Sequence, residues 1–146
     1  MGSSPSKQNT SKYDRNTTSD KIMNDFGTYA DGKFVIVTGS NCGLGFETAK
    51  SLANHGADVT IACRSKPNGD EAVALIKSEN PTAKVSFLQL DLASFSSVRD
   101  FTSAYKASGK PLNFLINNAG VMACPLSFTK DGLEMQFGVN HIGKSL

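Results

Sequence analysis

From Lys33 onward, short unbroken apolar runs alternate with longer stretches whose apolar residues recur every three or four positions. The runs FVIVT (34–38), DVTIAC (58–63), KVSFLQL (84–90) and LNFLIN (112–117) are rich in β-branched and large apolar residues, which marks buried strands. Between them lie helical spacings. Residues 44–55 place Leu44, Thr48, Ala49, Leu52 and Ala53 on one face, with Gly56 as the stop. Residues 69–80 form a second helix, halted before Pro81, and residues 94–108 a third. In the third, Ser97 and Asp100 read as a capping box and Gly109 as the close. Residues 131–143 begin another helix. A β-α-β-α-β-α-β order predicts an α/β fold, with a parallel sheet, right-handed crossovers and helices on both faces.

Residues 1–30 break this rhythm. Half of them are Ser, Thr, Asn or Lys; the segment is too polar to offset the entropy of ordering and is expected to be a disordered tail. The opening Met1-Gly2 with Ser6 fits an N-myristoylation pattern. One acyl chain is a weak anchor, so with Lys7, Lys12 and Arg15 it implies at most weak membrane association through the N-terminus. The sequons at Asn9 and Asn16 carry little meaning in a cytoplasmic chain.

Composition narrows the classes. The 146 residues carry a net charge of +2 and contain no basic block, which argues against a nucleic-acid partner. Cys42, Cys63 and Cys124 lack disulfide or zinc spacing, and no metal site is expected. His55 and His141 are too few and too separated for metal or nucleophile chemistry. No apolar run nears the roughly 20 residues that span a bilayer. A cytoplasmic location is expected, because the cysteines read as reduced and no charged segment precedes an apolar run of the secretory kind.

TGSNCGLG, residues 38–45, follows the first strand and opens the first helix. Gly39, Gly43 and Gly45 suit a turn that brings backbone N–H groups close to a phosphate at the helix N-terminus. The spacing is T-G-x-x-x-G-x-G, not G-x-G-x-x-G; a tight turn without a ligand is the alternative. Some 20 residues on, Arg64 directly follows the second strand, with no acid within IACRSK. A carboxylate there would hold a ribose 2′-hydroxyl, whereas a guanidinium suits a 2′-phosphate, which favours NADP(H).

These motifs resemble the short-chain dehydrogenase/reductase family. TGSNCGLG is similar to its cofactor loop, LDL with Asp91 to the end of its third strand, NNAG (117–120) to the end of its fourth, and VNHIG (139–143) to the segment bearing its catalytic Asn. The stretches 45–64 and 127–143 resemble the retinol dehydrogenase-like branch. The resemblance covers residues 30–143. It implies strand order 3-2-1-4 and makes residues 31–146 the N-terminal part of a dinucleotide-binding domain. It assigns Gly39, Ser40, Asn41, Gly43, Leu44, Gly45, Arg64, Asp91, Leu92, Asn118, Ala119 and Gly120 to the cofactor, and Asn140 to the proton path. Asp91 also reads as a cap for the next turn, and Asn118 more as a structural than a chemical residue.

The implied reaction is NADP-dependent oxidation or reduction of a small lipophilic alcohol or carbonyl, such as a retinoid or steroid. The family's Ser and its Tyr-x-x-x-Lys are not found after the glycine turn. Tyr29 and Lys33 have the spacing but precede the first strand, and Tyr105 has Gly109 four residues on. The similarity stops at Gly143, so the chain is expected to be truncated before the fifth strand and inactive alone. The alternative is a non-catalytic product that binds nucleotide weakly or pairs with a relative through an open sheet edge. ACPLSFTKDGLE (123–134) is expected to border the substrate mouth, with Phe128 and Leu133 as packing residues.

Overall fold

A computed structural model describes residues 12–146. Gly2 and Ser6 of the acylation pattern, with Lys7 and Asn9, lie outside the described residues. The sheet has four parallel strands, β1 (Phe34–Thr38), β2 (Asp58–Cys63), β3 (Val85–Gln89) and β4 (Phe114–Ile116), in the order β3-β2-β1-β4. This is the order expected. Thr38 pairs with Ala62 and Val37 with Ile116, so the carboxyl ends of the strands open on one edge of the sheet.

The period of two along each strand sorts the core into two layers. Val35, Val37, Val59, Ile61 and Val85 face one side, against α2 (Gly43–Asn54) and α3 (Lys66–Glu79). Ile36 and Ala62 face the other, against Val98, Phe101 and Tyr105 of α4 (Phe95–Ala107) and Val139. Helices therefore cover both faces. Among the described residues no helix is long and apolar enough to cross a membrane.

The disordered tail expected through residue 30 is corrected for its second half. Ser19–Phe26 form a helix, α1, continued by a 3-10 turn at Gly27–Ala30. Met23 packs against the core, Ala30 is buried, and Asn24 Oδ1 lies 3.0 Å from His55 Nε2 at the end of α2. A mean polarity hides these few anchors. Helix starts also differ from the expected ones. α3 begins three residues early because Ser65 caps it and Pro67 fills its first turn, where no N–H is needed. Ser94, not Ser97, caps α4, accepting from Ser97 N. Leu44 is not inward: it is 84% exposed. Gly45 occupies the inward position of that turn, and each helical step rotates by about 100°. The buried stripe is Gly45, Ala49 and Ala53, joined by Ser51.

The last helical stretch is broken into α5 (Met135–Phe137), a π-turn (Gly138–Ile142) and α6 (Gly143–Ser145). β4 is an edge strand, with Leu115 and Phe114 both exposed and the Tyr29 ring 6.2 Å from that of Phe114. Tyr29 and Lys33 thus belong to the approach to β1, away from the carboxyl edge.

Candidate dinucleotide site

At the carboxyl edge lies a cleft of about 350 Å³. Its walls include Gly39, Asn41, Arg64, Asp91, Leu92, Asn118, Ala119 and Gly120, eight of the residues the sequence assigned to a cofactor. A crevice at the ends of parallel strands is where such sheets bind ligands.

The three glycines of the turn do different work. Gly39 (φ +65°) lies against β4's exit: a Cβ there would come within 2.9 Å of Ala119 Cα. A Cβ on Gly45 would run into Asn118 Nδ2 and come within 2.5 Å of Gly39 O. Both positions serve close packing. At Gly43 (φ +58°) a Cβ would meet nothing within 4 Å, so its backbone is left-handed and its open side is free for a ligand. α2 also lacks a side-chain cap, whereas Ser65 and Ser94 cap α3 and α4. Its first-turn N–H donors are left for a ligand or water.

Other side chains hold the turn in shape. Asn118 Nδ2 donates to Thr38 O (2.9 Å) and Gly39 O (3.3 Å). Thr38 Oγ1 accepts from Ala119 N at 3.0 Å. Ser40 is fully buried and donates to Val37 O at 2.6 Å, so it is a brace inside the turn rather than a wall of the cleft. Leu44, Gly43 and Gly45 likewise do not line it. Asn140 Oδ1 accepts from Val121 N (2.8 Å) and Nδ2 donates to Val121 O (2.7 Å). Its amide therefore ties the π-turn to the strand-four exit, and both amide atoms are engaged by Val121 backbone.

The polar groups of the cleft divide into committed and free. Asp91 Oδ1 accepts from Ala93 N at 3.0 Å, the expected turn cap, and Oδ2 pairs with Lys130 Nζ at 3.3 Å. Asp91 N donates to Ser97 Oγ at 2.9 Å, the work that replaces the expected capping role of Ser97. Arg64 accepts Gln89 Nε2 only through its backbone carbonyl, and its guanidinium pairs with no carboxylate among the described residues. Lys66 is spent on Asp70 at 2.7 Å. Cys42 is exposed beside the turn; Cys63 is buried, donates to Ser65 O, and burial pushes its thiol up from the ordinary value.

Sequence reasoning missed Thr38, Ser97, Lys130 and Val121 as parts of this site. Thr38 opens a motif that was read and Val121 directly follows another, but Asp91 and Lys130 are 39 residues apart with no local signal joining them. Phe128, expected to pack, is 62% exposed.

A family model for short chain dehydrogenases matches residues 33–143. This chain belongs to the short-chain dehydrogenase family. It is 49% identical over 140 residues to the WW domain-containing oxidoreductase of Homo sapiens, covering 95% of this chain and 33% of that protein. It is 48% identical over 115 residues to retinol dehydrogenase 12 of Mus musculus, covering 79% and 36%. The chain thus spans about a third of the length of these curated relatives. Among solved structures, a putative uncharacterized protein from Mycobacterium Paratuberculosis shares 41% identity with TM-score 0.65, covering 78% of this chain and 39% of that one. A 3-oxoacyl (acyl-carrier-protein) reductase from Agrobacterium tumefaciens, solved with NADP bound, has TM-score 0.68 at 23% identity over 83% and 46%, a likeness of fold.

Proposed function

We propose that this chain supplies the dinucleotide-binding part of an NADP(H)-dependent oxidoreductase acting on a lipophilic alcohol or carbonyl of retinoid or steroid type. The observation that carries it is the unpaired Arg64 guanidinium just after β2, in the same cleft as Cys42, the N-cap residue of α2, whose side chain makes no cap hydrogen bond. Family membership supports the reaction class, and the likeness to retinol dehydrogenase 12 supports the substrate class.

The open side of Gly43 and the free first-turn donors of α2 fit a pyrophosphate. Arg64 fits a 2′-phosphate, since a planar fork of donors matches a phosphate bidentately. Asp91 and Leu92 would hold the adenine end; Asn118, Ala119 and Gly120 line the stretch between. When bound, the nicotinamide would supply the hydride to a carbonyl or take it from an alcohol; the protein's part here is to bind and orient it. Asn140 keeps the π-turn fixed beside that stretch.

The test is equilibrium titration of the purified chain with NADPH and NADH, followed by fluorescence. NADPH should bind about tenfold or more tightly, the scale of one charge-assisted contact, and Arg64→Asp should reverse the order. Equal binding of both nucleotides by the unaltered protein would sink the NADP(H) assignment.

A second reading is favoured by the half-exposed Leu115 on the edge strand β4. There the 146 residues bind nucleotide without turnover and pair with a relative through β4. Concentration-dependent association that disappears in Leu115→Lys would support it; a monomer at every concentration would oppose it.

A further inference from the structure

The cleft adjoins a second hollow of about 390 Å³, and Arg64 and Asp91 stand in the walls of both. The second hollow lies between the end of β3 and the start of α4, where Ser96, Ser97, Asp100 and Phe101 line it with Lys130. Its donors outnumber its free acceptors. Asp91 is committed at both oxygens, to Ala93 N and Lys130 Nζ. Ser97 Oγ accepts from Asp91 N and keeps its own proton to give. Lys130 has donors beyond the one aimed at Asp91, and the Arg64 fork is unpaired among the described residues. Asp100 is the one acid left in these walls to oppose them.

Lys130 does not reach this place by chance of an exposed side chain. Its segment is docked on the α4 start twice: Lys130 N donates to Ala93 O at 2.9 Å, and Asp131 Oδ2 accepts from Phe95 N at 2.8 Å. A short antiparallel bridge between Phe128 and Glu134, with Thr129 N donating to Leu133 O, closes the segment on itself. The stretch expected at the substrate mouth therefore also serves the opposite, β3 side of the cleft.

We propose that Lys130 is a specificity-determining residue for the dinucleotide. With Arg64 it brackets a phosphate ester on the ribose 2′ position, seated in the second hollow. Lys130 also neutralises Asp91, the carboxylate standing beside Arg64, which would otherwise repel a dianionic phosphate. This rests on the NADP(H) reading of Arg64. Exposed ion pairs add little to stability, so the contribution of Lys130 falls on ligand choice rather than on folding.

The experiment is calorimetric titration of the full chain with adenosine 2′,5′-bisphosphate and adenosine 5′-monophosphate, in Lys130→Ala, Lys130→Arg and Arg64→Ala beside the unaltered protein. Circular dichroism checks that each variant is folded. Lys130→Ala should weaken the bisphosphate about three- to tenfold and the monophosphate by less than about twofold, with Lys130→Arg retaining the preference. Equal weakening of both ligands would reduce Lys130 to a strut for its loop and overturn the proposal. A preference that survives Lys130→Ala but is lost in Arg64→Ala would sink the role of Lys130 alone. No preference in the unaltered protein would sink the NADP(H) reading as well.

Discussion

Gly45 and Gly43 stand two residues apart in one turn, yet alanine should act on them through different physics. At Gly45 the new methyl meets Asn118 Nδ2, Gly39 O and, at 3.0 Å, Ser40 Cα. Two of these are backbone atoms of a turn pinned by Gly39 N to Ala62 O at 2.7 Å and by Ser40 Oγ to Val37 O at 2.6 Å. The turn cannot yield, so α2 shifts or Asn118 swings out and gives up its bond to Thr38 O. Overpacking costs about 1–3 kcal/mol and the lost hydrogen bond about 1 kcal/mol. Alanine's better helix propensity returns up to about 1 kcal/mol. The net destabilisation is about 1–3 kcal/mol, a fall in Tm of roughly 2–10 °C for a chain this size. At Gly43 no atom is near, and only the left-handed backbone resists a side chain, at about 1–2 kcal/mol. Its methyl would project into the open side, where the proposed pyrophosphate would lie. Thermal and urea denaturation, paired with NADPH titration, separate the two. Gly45→Ala should lose more stability than Gly43→Ala, while Gly43→Ala should lose more nucleotide affinity than its stability loss explains. A Gly45→Ala protein as stable as the original, or weaker binding in Gly45→Ala than in Gly43→Ala, would refute the division of labour among these glycines.

Three further outcomes follow from the same contacts. Asn118→Ala leaves Thr38 O and Gly39 O without their donor and should lower stability by about 1–3 kcal/mol in urea titration, with weaker nucleotide binding as the turn loosens. In a thiol-reagent time course at neutral pH, exposed Cys42 should react first and NADPH should slow it, while Cys63, buried and shifted up, should stay protected until the chain unfolds. Glu134 caps α5 by accepting from Gln136 N and Phe137 N, which holds its carboxyl below the ordinary 4.5. A lowered folded-state value gives stability that is present above 4.5 and lost as the pH falls through the folded value. Glu134→Ala should therefore be less stable than the original near neutrality and converge with it in acid, as read by denaturation midpoints across pH.

Periodicity and turn chemistry are local, and what depends on them was legible in the chain. The four strands, the alternation that sorts Val35 and Val37 from Ile36, the glycine turn and the Gly109 stop all come from spacing within a few residues. The order β3-β2-β1-β4 was implied once the motifs at 38–45, 91 and 117–120 were read together.

Tertiary structure decided which of those residues meet. Thr38 and Asn118 are joined across 80 residues, and their bonds make the turn rigid. Ser51 is fully buried on a helix face whose letters do not announce it, and Leu44 points outward because Gly45 takes the inward place. Met23 and Asn24 order a polar segment by docking on α2's end, a gain that no average of composition records. Asp91, readable as a turn cap and a ligand residue, acquires Lys130 from a segment read for another purpose. A sequence carries the preferences of each short stretch, because those arise from backbone sterics and the periodicity of side chains. The pairing of distant polar groups arises only when the sheet has assembled, since burial then sets which donors must find acceptors and which, like those of Arg64 and the first turn of α2, stay without a side-chain partner among the described residues.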